Sequence, residues 1–196
     1  MDDEKEQLLI GLTKCDKWRE SRERDIQNLT KNANFEIGKY DQSAIVALKP
    51  LDYWREALSC YQNGAYMAVA LMCRSAIELI VYLAITRREN NPKKFSGGTI
   101  KVDFSLVDER NWENILERAE KQGIIRGKLR GEIKKIRKEG NHVAHYGQQV
   151  DESYLNYATS RKIKGGWIGR KEGLQLIKQT TQILNVVLKN QAEASG

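Results

Sequence analysis

The chain has 196 residues, 40% of them hydrophobic and 30% charged, with a formal net charge of +7. That length suits one compact domain with extensions, and two prolines among abundant Leu, Ala, Glu, Lys and Arg favour helix. The odd set Cys15, Cys60 and Cys73 has no metal-type spacing, which argues against a zinc site or a disulfide framework and for free thiols in a reducing cytoplasm.

Residues 1–40 carry mixed charge and read as a helical extension. Leu8, Leu9, Leu12 and Trp18 give it a narrow apolar stripe, suited to weak contact with the main domain or with a partner. Met1-Asp2-Asp3-Glu4 is acidic and has no signal-peptide pattern, so a cytoplasmic location is expected. Residues 41–196 read as the main helical domain. Asp41-Gln42-Ser43 looks like a helix start, and Pro50 like a break or the first turn of the next helix. Leu51, Trp54, Leu58 and Tyr61 recur at helical spacing up to a stop at Asn63-Gly64.

The run from Ala65 to about Arg88 is apolar on most faces and predicts the central helix, with Leu79 in the core. Arg74 and Glu78 in its middle argue against a membrane span. They are four residues apart, which predicts an ion pair fixing helix register and standing behind a functional site, with Tyr82 on the same stripe. Asn90-Asn91-Pro92 ends this helix. Lys93 to Val102 reads as a loop, and its Ser96-Gly97-Gly98-Thr99 lacks the spacing of a phosphate-binding loop.

Asn111 to Lys121 predicts a helix with Trp112, Ile115, Leu116 and Ala119 on one side, closed by Gln122-Gly123. Ile125, Leu129, Ile133, Ile136, Gly140 and Val143 then mark the core face of a basic helix, with Gly147 as its stop. Asp151 to Ile163 reads as a partly exposed helix, Lys164-Gly165-Gly166 as a turn, and Trp167 as an anchor for a final helix carrying Leu174, Ile177, Leu184 and Leu188. No segment alternates with period two, so the fold class is all-α, an antiparallel bundle.

The charge is concentrated. Between Arg118 and Lys138 stand nine basic residues (Arg118, Lys121, Arg126, Lys128, Arg130, Lys134, Lys135, Arg137, Lys138) against Glu120 and Glu132, a surplus of seven. Such a stripe is either a polyanion-binding surface or a solvated helix face. On the first reading, Arg126, Lys128, Arg130, Lys134, Lys135 and Lys138 are the binding cations.

Both histidines follow directly, in Ile136-Arg137-Lys138-Glu139-Gly140-Asn141-His142-Val143-Ala144-His145. Their side chains alone have an unperturbed pKa near neutrality, so proton transfer belongs here if anywhere. At roughly 100° per residue from Ile136, Arg137 lies near 100°, Asn141 near 140°, His145 near 180° and His142 near 240°, away from the apolar stripe. Arg137, Asn141, His142 and His145 are therefore the candidate catalytic set. No metal ligands and no cofactor are expected.

Cys73-Arg74-Ser75-Ala76-Ile77-Glu78 together with Gly140-Asn141-His142-Val143-Ala144-His145 resembles a prokaryotic helical family of unknown function, found beside restriction and defence proteins and related to the HEPN superfamily. The resemblance covers about residues 51–147. It implies a HEPN-like bundle, a homodimer with a composite basic cleft, RNA as ligand, a defence-system partner protein, no membrane, and metal-independent RNA cleavage by an arginine and a histidine with four to six residues between them. Arg137 and His142 fit that spacing. In the other register, Gly140-Asn141-x-x-Ala144-His145 matches Arg-Asn-x-x-Ala-His with glycine in place of the arginine. In either register the histidine would move a proton to or from an RNA oxygen, Arg137 would stabilise phosphate charge and Asn141 would orient the histidine. The rival expectation is a non-catalytic protein-interaction or nucleotide-binding module.

Overall fold

The computed structural model describes residues 2–33, 35, 43–89, 111–144 and 168–193. All regular structure among them is helical: α1 Asp2–Lys31, α2 Ser43–Gln62, α3 Tyr66–Glu89, α4 Trp112–Lys121, α5 Lys128–Ala144 and α6 Arg170–Glu193. The expected all-α bundle is present.

α3 is the hub, packed by α2, α5 and α6 and touched by α4. Its Val69, Ala70, Cys73, Ala76, Ile77, Ile80, Val81, Ala84 and Ile85 are buried. By length and apolarity it could cross a membrane, the only described helix of that kind, but half of its apolar window is buried inside the bundle. Leu79, expected in the core, is only half-buried. The apolar run exceeds the core-facing arc of the helix, so composition alone did not orient it.

Local chemistry explains the ends. The α2–α3 turn closes through Gly64 at φ +76°, with the Ala65 N–H donating to the Cys60 carbonyl at 2.8 Å. The connection is too short for anything but an antiparallel hairpin. Pro50 breaks nothing: α2 runs from Ser43 straight through it. Proline forfeits one backbone hydrogen bond, whereas Leu51, Trp54, Ala57, Leu58 and Tyr61 all bury on one face and hold the helix regardless. Asn111 caps α4 by accepting from the Glu113 N–H at 3.1 Å, and Gly123 at φ +70° turns the chain towards α5.

α1 is tied to the bundle by its second half. Leu29 is buried, and Arg22 Nε donates to the Gln62 carbonyl at 2.7 Å. Arg170, at the start of α6, donates to Asp25 at 2.5 Å, to Ser21 at 2.7 Å and to the Tyr61 hydroxyl at 3.2 Å; that hydroxyl in turn donates to Asp25 at 2.7 Å. One polar knot thus joins α1, α2 and α6. The expected 93–102 loop, the 151–163 helix, the turn before Trp167, and Trp167 itself lie outside the described residues.

Candidate functional site

The site begins with a glycine. α5 crosses α3 at Gly140, where an added Cβ would sit 2.6 Å from Arg74 Cβ, 2.8 Å from Arg74 Cδ and 3.0 Å from the Ala70 carbonyl oxygen. No side chain fits there. The close crossing brings the two motif segments together. Glu78 Oε1 accepts from Arg74 Nε at 3.0 Å, as the sequence predicts, and also from Arg137 Nε at 2.7 Å, which it does not. These three side chains are 21–28% exposed, so the cluster is half-buried rather than sealed. Arg137 lies over the Trp112 ring, 5.0 Å from its centroid, and Tyr82 meets the same ring edge-on at 5.6 Å.

In front of this wall lies an open cleft of about 490 Å³, lined by Asn111, Trp112, Glu113, Lys134, Arg137, Lys138, Asn141 and His142. Three of the four candidate catalytic residues (Arg137, Asn141 and His142) and two of the candidate binding cations (Lys134 and Lys138) therefore share one concavity. His145 lies outside the described residues. Two buried polar atoms here, Trp112 Nε1 and Asn141 Oδ1, have no hydrogen-bond partner among the described residues. Buried polar atoms are costly when unpaired.

Most of the basic stripe is neutralised by carboxylates. Arg118 holds Glu89 at 2.5 Å, Lys121 holds Glu117 at 2.8 Å, and Lys128 stands 3.7 Å from Glu132. Arg130 bridges Glu113 and Glu120, Lys134 binds Glu113 at 2.6 Å, and Arg137 binds Glu78. Hydrogen bonds from Lys134 and then Arg130 hold the Glu113 carboxyl below its ordinary pKa, so it stays ionised. Among the described residues of the stripe, Arg126, Lys135 and Lys138 are exposed and have no ion pair. Of these only Lys138 lines the cleft. Lys135 instead lines a second hollow of about 310 Å³ between α5 and α6, with Glu139 and Gln179.

Trp112 was legible only as a core residue, and Glu113 not at all as a neutralising group. Glu139, 4% exposed, is a buried carboxyl side chain flanking the apolar stripe of α5, which periodicity did not mark. No group of three or more potential metal ligands occurs among the described residues.

Comparison with known families gives one match, a model described as Domain of unknown function (DUF4145), over residues 55–160. That is more than half of the chain. The chain belongs to the DUF4145 family. The DUF4145 match takes in α3, α4 and α5 whole, and with them every residue lining the cleft. Curated proteins and solved structures give no match.

Proposed function

We propose that the chain is a HEPN-like RNA-binding domain whose cleft between α4 and α5 holds the phosphate backbone. The observation that carries this reading is the gathering of Arg137, Lys138, Asn141 and His142 around one open cleft, beside two unpartnered buried polar atoms. Paired cations contribute little to a polyanion field, so Lys138, exposed and without an ion pair among the described residues, matters more to that field than the length of the stripe. The same reading places the protein in the cytoplasm as a homodimer, with a partner protein of a prokaryotic defence system.

The test is RNA affinity across a salt series. Wild type should bind with affinity that falls steeply as salt rises, because phosphate contacts release counterions. Lys138→Glu should weaken binding more than Lys135→Glu, since both cations are exposed on α5 but only Lys138 lines the cleft. Equal effects would leave the charge as a diffuse helix face. No binding at low salt would leave the interaction module as the reading.

A second reading, metal-independent RNA cleavage, is favoured by Arg137 and His142 lining the same cleft at the spacing the superfamily uses. Cleavage that survives a chelator and is lost in His142→Ala or His145→Ala would support it. Wild type inert on single-stranded and transfer RNA would end it.

A further inference from the structure

Glu78 is not among the residues lining the cleft, yet it holds one that is. Its Oε1 ties Arg137 through Nε, while the guanidinium lies on the Trp112 ring. Among the described residues, neither Nη of Arg137 makes a hydrogen bond. A guanidinium held by one edge and one face still offers its remaining N–H groups as a rigid fork, which matches two oxygens of a phosphate. An arginine in open solvent would lose rotamer freedom on binding; this one has already lost much of it. Trp112 is 6% exposed and covered by Arg137 and Tyr82, so it offers no free face for stacking a base. Glycine at 140 brings α5 close enough to α3 for one carboxylate to reach both Arg74 and Arg137.

We infer that Glu78 is a positioning residue, which presets Arg137 as a two-pronged clamp on a phosphodiester of the bound strand and makes the cleft a reader of backbone rather than base. The inference rests on the RNA reading above and adds how the strand is gripped. A negative charge behind a cationic wall looks counterproductive, and this makes the idea testable, because field and positioning act with opposite sign. Removing the charge by Glu78→Gln strengthens the positive field and, by field alone, tightens RNA binding. Loss of positioning weakens it.

The experiment measures RNA affinity at fixed salt, for homopolymers of different base and for Glu78→Gln, Arg137→Ala and the double variant, with thermal melts to confirm folding. Glu78→Gln should bind about tenfold more weakly, the loss expected of one charge-assisted hydrogen bond. On the Arg137→Ala background it should cost nothing further, which a merely structural role would not produce. Affinities for different bases should agree within about threefold. Glu78→Gln binding as tightly as wild type, or a strong base preference, overturns the proposal. Should Glu78→Gln fail to fold, Arg137→Lys keeps the charge and removes the fork; about tenfold weaker binding supports the clamp, and unchanged affinity overturns it. Should wild type bind no RNA, the RNA reading fails by itself. The clamp is then tested with inorganic phosphate against salt-matched chloride, by fluorine NMR of 5-fluorotryptophan-labelled protein with Trp112 assigned through Trp112→Phe. A phosphate-dependent shift present in wild type and absent in Arg137→Lys supports it; no shift in wild type overturns it.

Discussion

Two glycines on one helix have opposite reasons to be there. At Gly140 a methyl group would collide with Arg74 Cβ and the Ala70 carbonyl, neither of which can swing aside. At Gly131 an added Cβ meets nothing within 4 Å. Gly140→Ala should therefore destabilise by about 1–3 kcal/mol through overpacking, although alanine is the better helix former. Gly131→Ala should stabilise by up to about 1 kcal/mol. Denaturant unfolding of the two variants checks the pair, and a stabilising Gly140→Ala would contradict the close crossing. The same geometry explains why glycine stands at position 140. The helix backbone is against α3 at that position, and the nearest guanidinium to the cleft comes from Arg137, almost one turn earlier.

Helices carry their own signature in sequence, and the contacts between them mostly do not. Ile133 and Ile136 recur with the core period of α5 and are fully buried, so Ile133→Ala should cost about 2–5 kcal/mol. Leu79→Ala, half-buried on α3, should cost clearly less, and urea midpoints of the two would rank them. The bounds of α3 and α4 were readable from the Gly64 and Gly123 stops, the Asn111 cap and the apolar spacing, whereas for α6 the spacing marked a helix without its ends. The pairing of Glu78 with Arg137 was not, because the two lie 59 residues apart and meet only through the α3–α5 crossing. The charge surplus of the basic segment is reduced by its neighbours for a related reason. Counting began at Arg118 and so missed Glu113 and Glu117, five residues and one residue earlier on α4, which neutralise Arg130, Lys134 and Lys121. Among the described residues, Lys138 emerges as the unpaired cation of the cleft only once those partners are placed.

Across the whole molecule, the Asp25–Tyr61–Arg170 knot couples stability to pH at both ends of the scale. Burial would raise the Asp25 carboxyl, but hydrogen bonds from Arg170 and Tyr61 outweigh it, and its pKa falls below the ordinary 3.8. Its contribution is present above that value and lost as pH falls through the lower folded pKa. For the Tyr61 hydroxyl, burial and then the bond to Asp25 push the pKa up to about 12 from 10.0. That contribution is present below pH 10 and lost as pH rises towards 12. Burial of Cys73, also pushed up to about 12, adds to the same alkaline limb. Melting temperature should therefore fall at both extremes. Asp25→Asn should lower it at neutral pH and flatten the acid limb, while Tyr61→Phe should flatten only part of the alkaline limb. Unchanged melting profiles in both variants would mean that α1 is not anchored through this knot.

On the proposed RNA reading, phosphate backbone binds at the cleft that α4 and α5 form in front of Glu78. The most direct measurement is an amide NMR titration of the full chain with a short RNA at low salt. The account predicts that perturbed amides cluster at Asn111–Glu113 and Lys134–His142, and that the pattern fades as salt rises. Perturbations centred on Lys171–Gln179 beside the second hollow, or no perturbation at all, would contradict it.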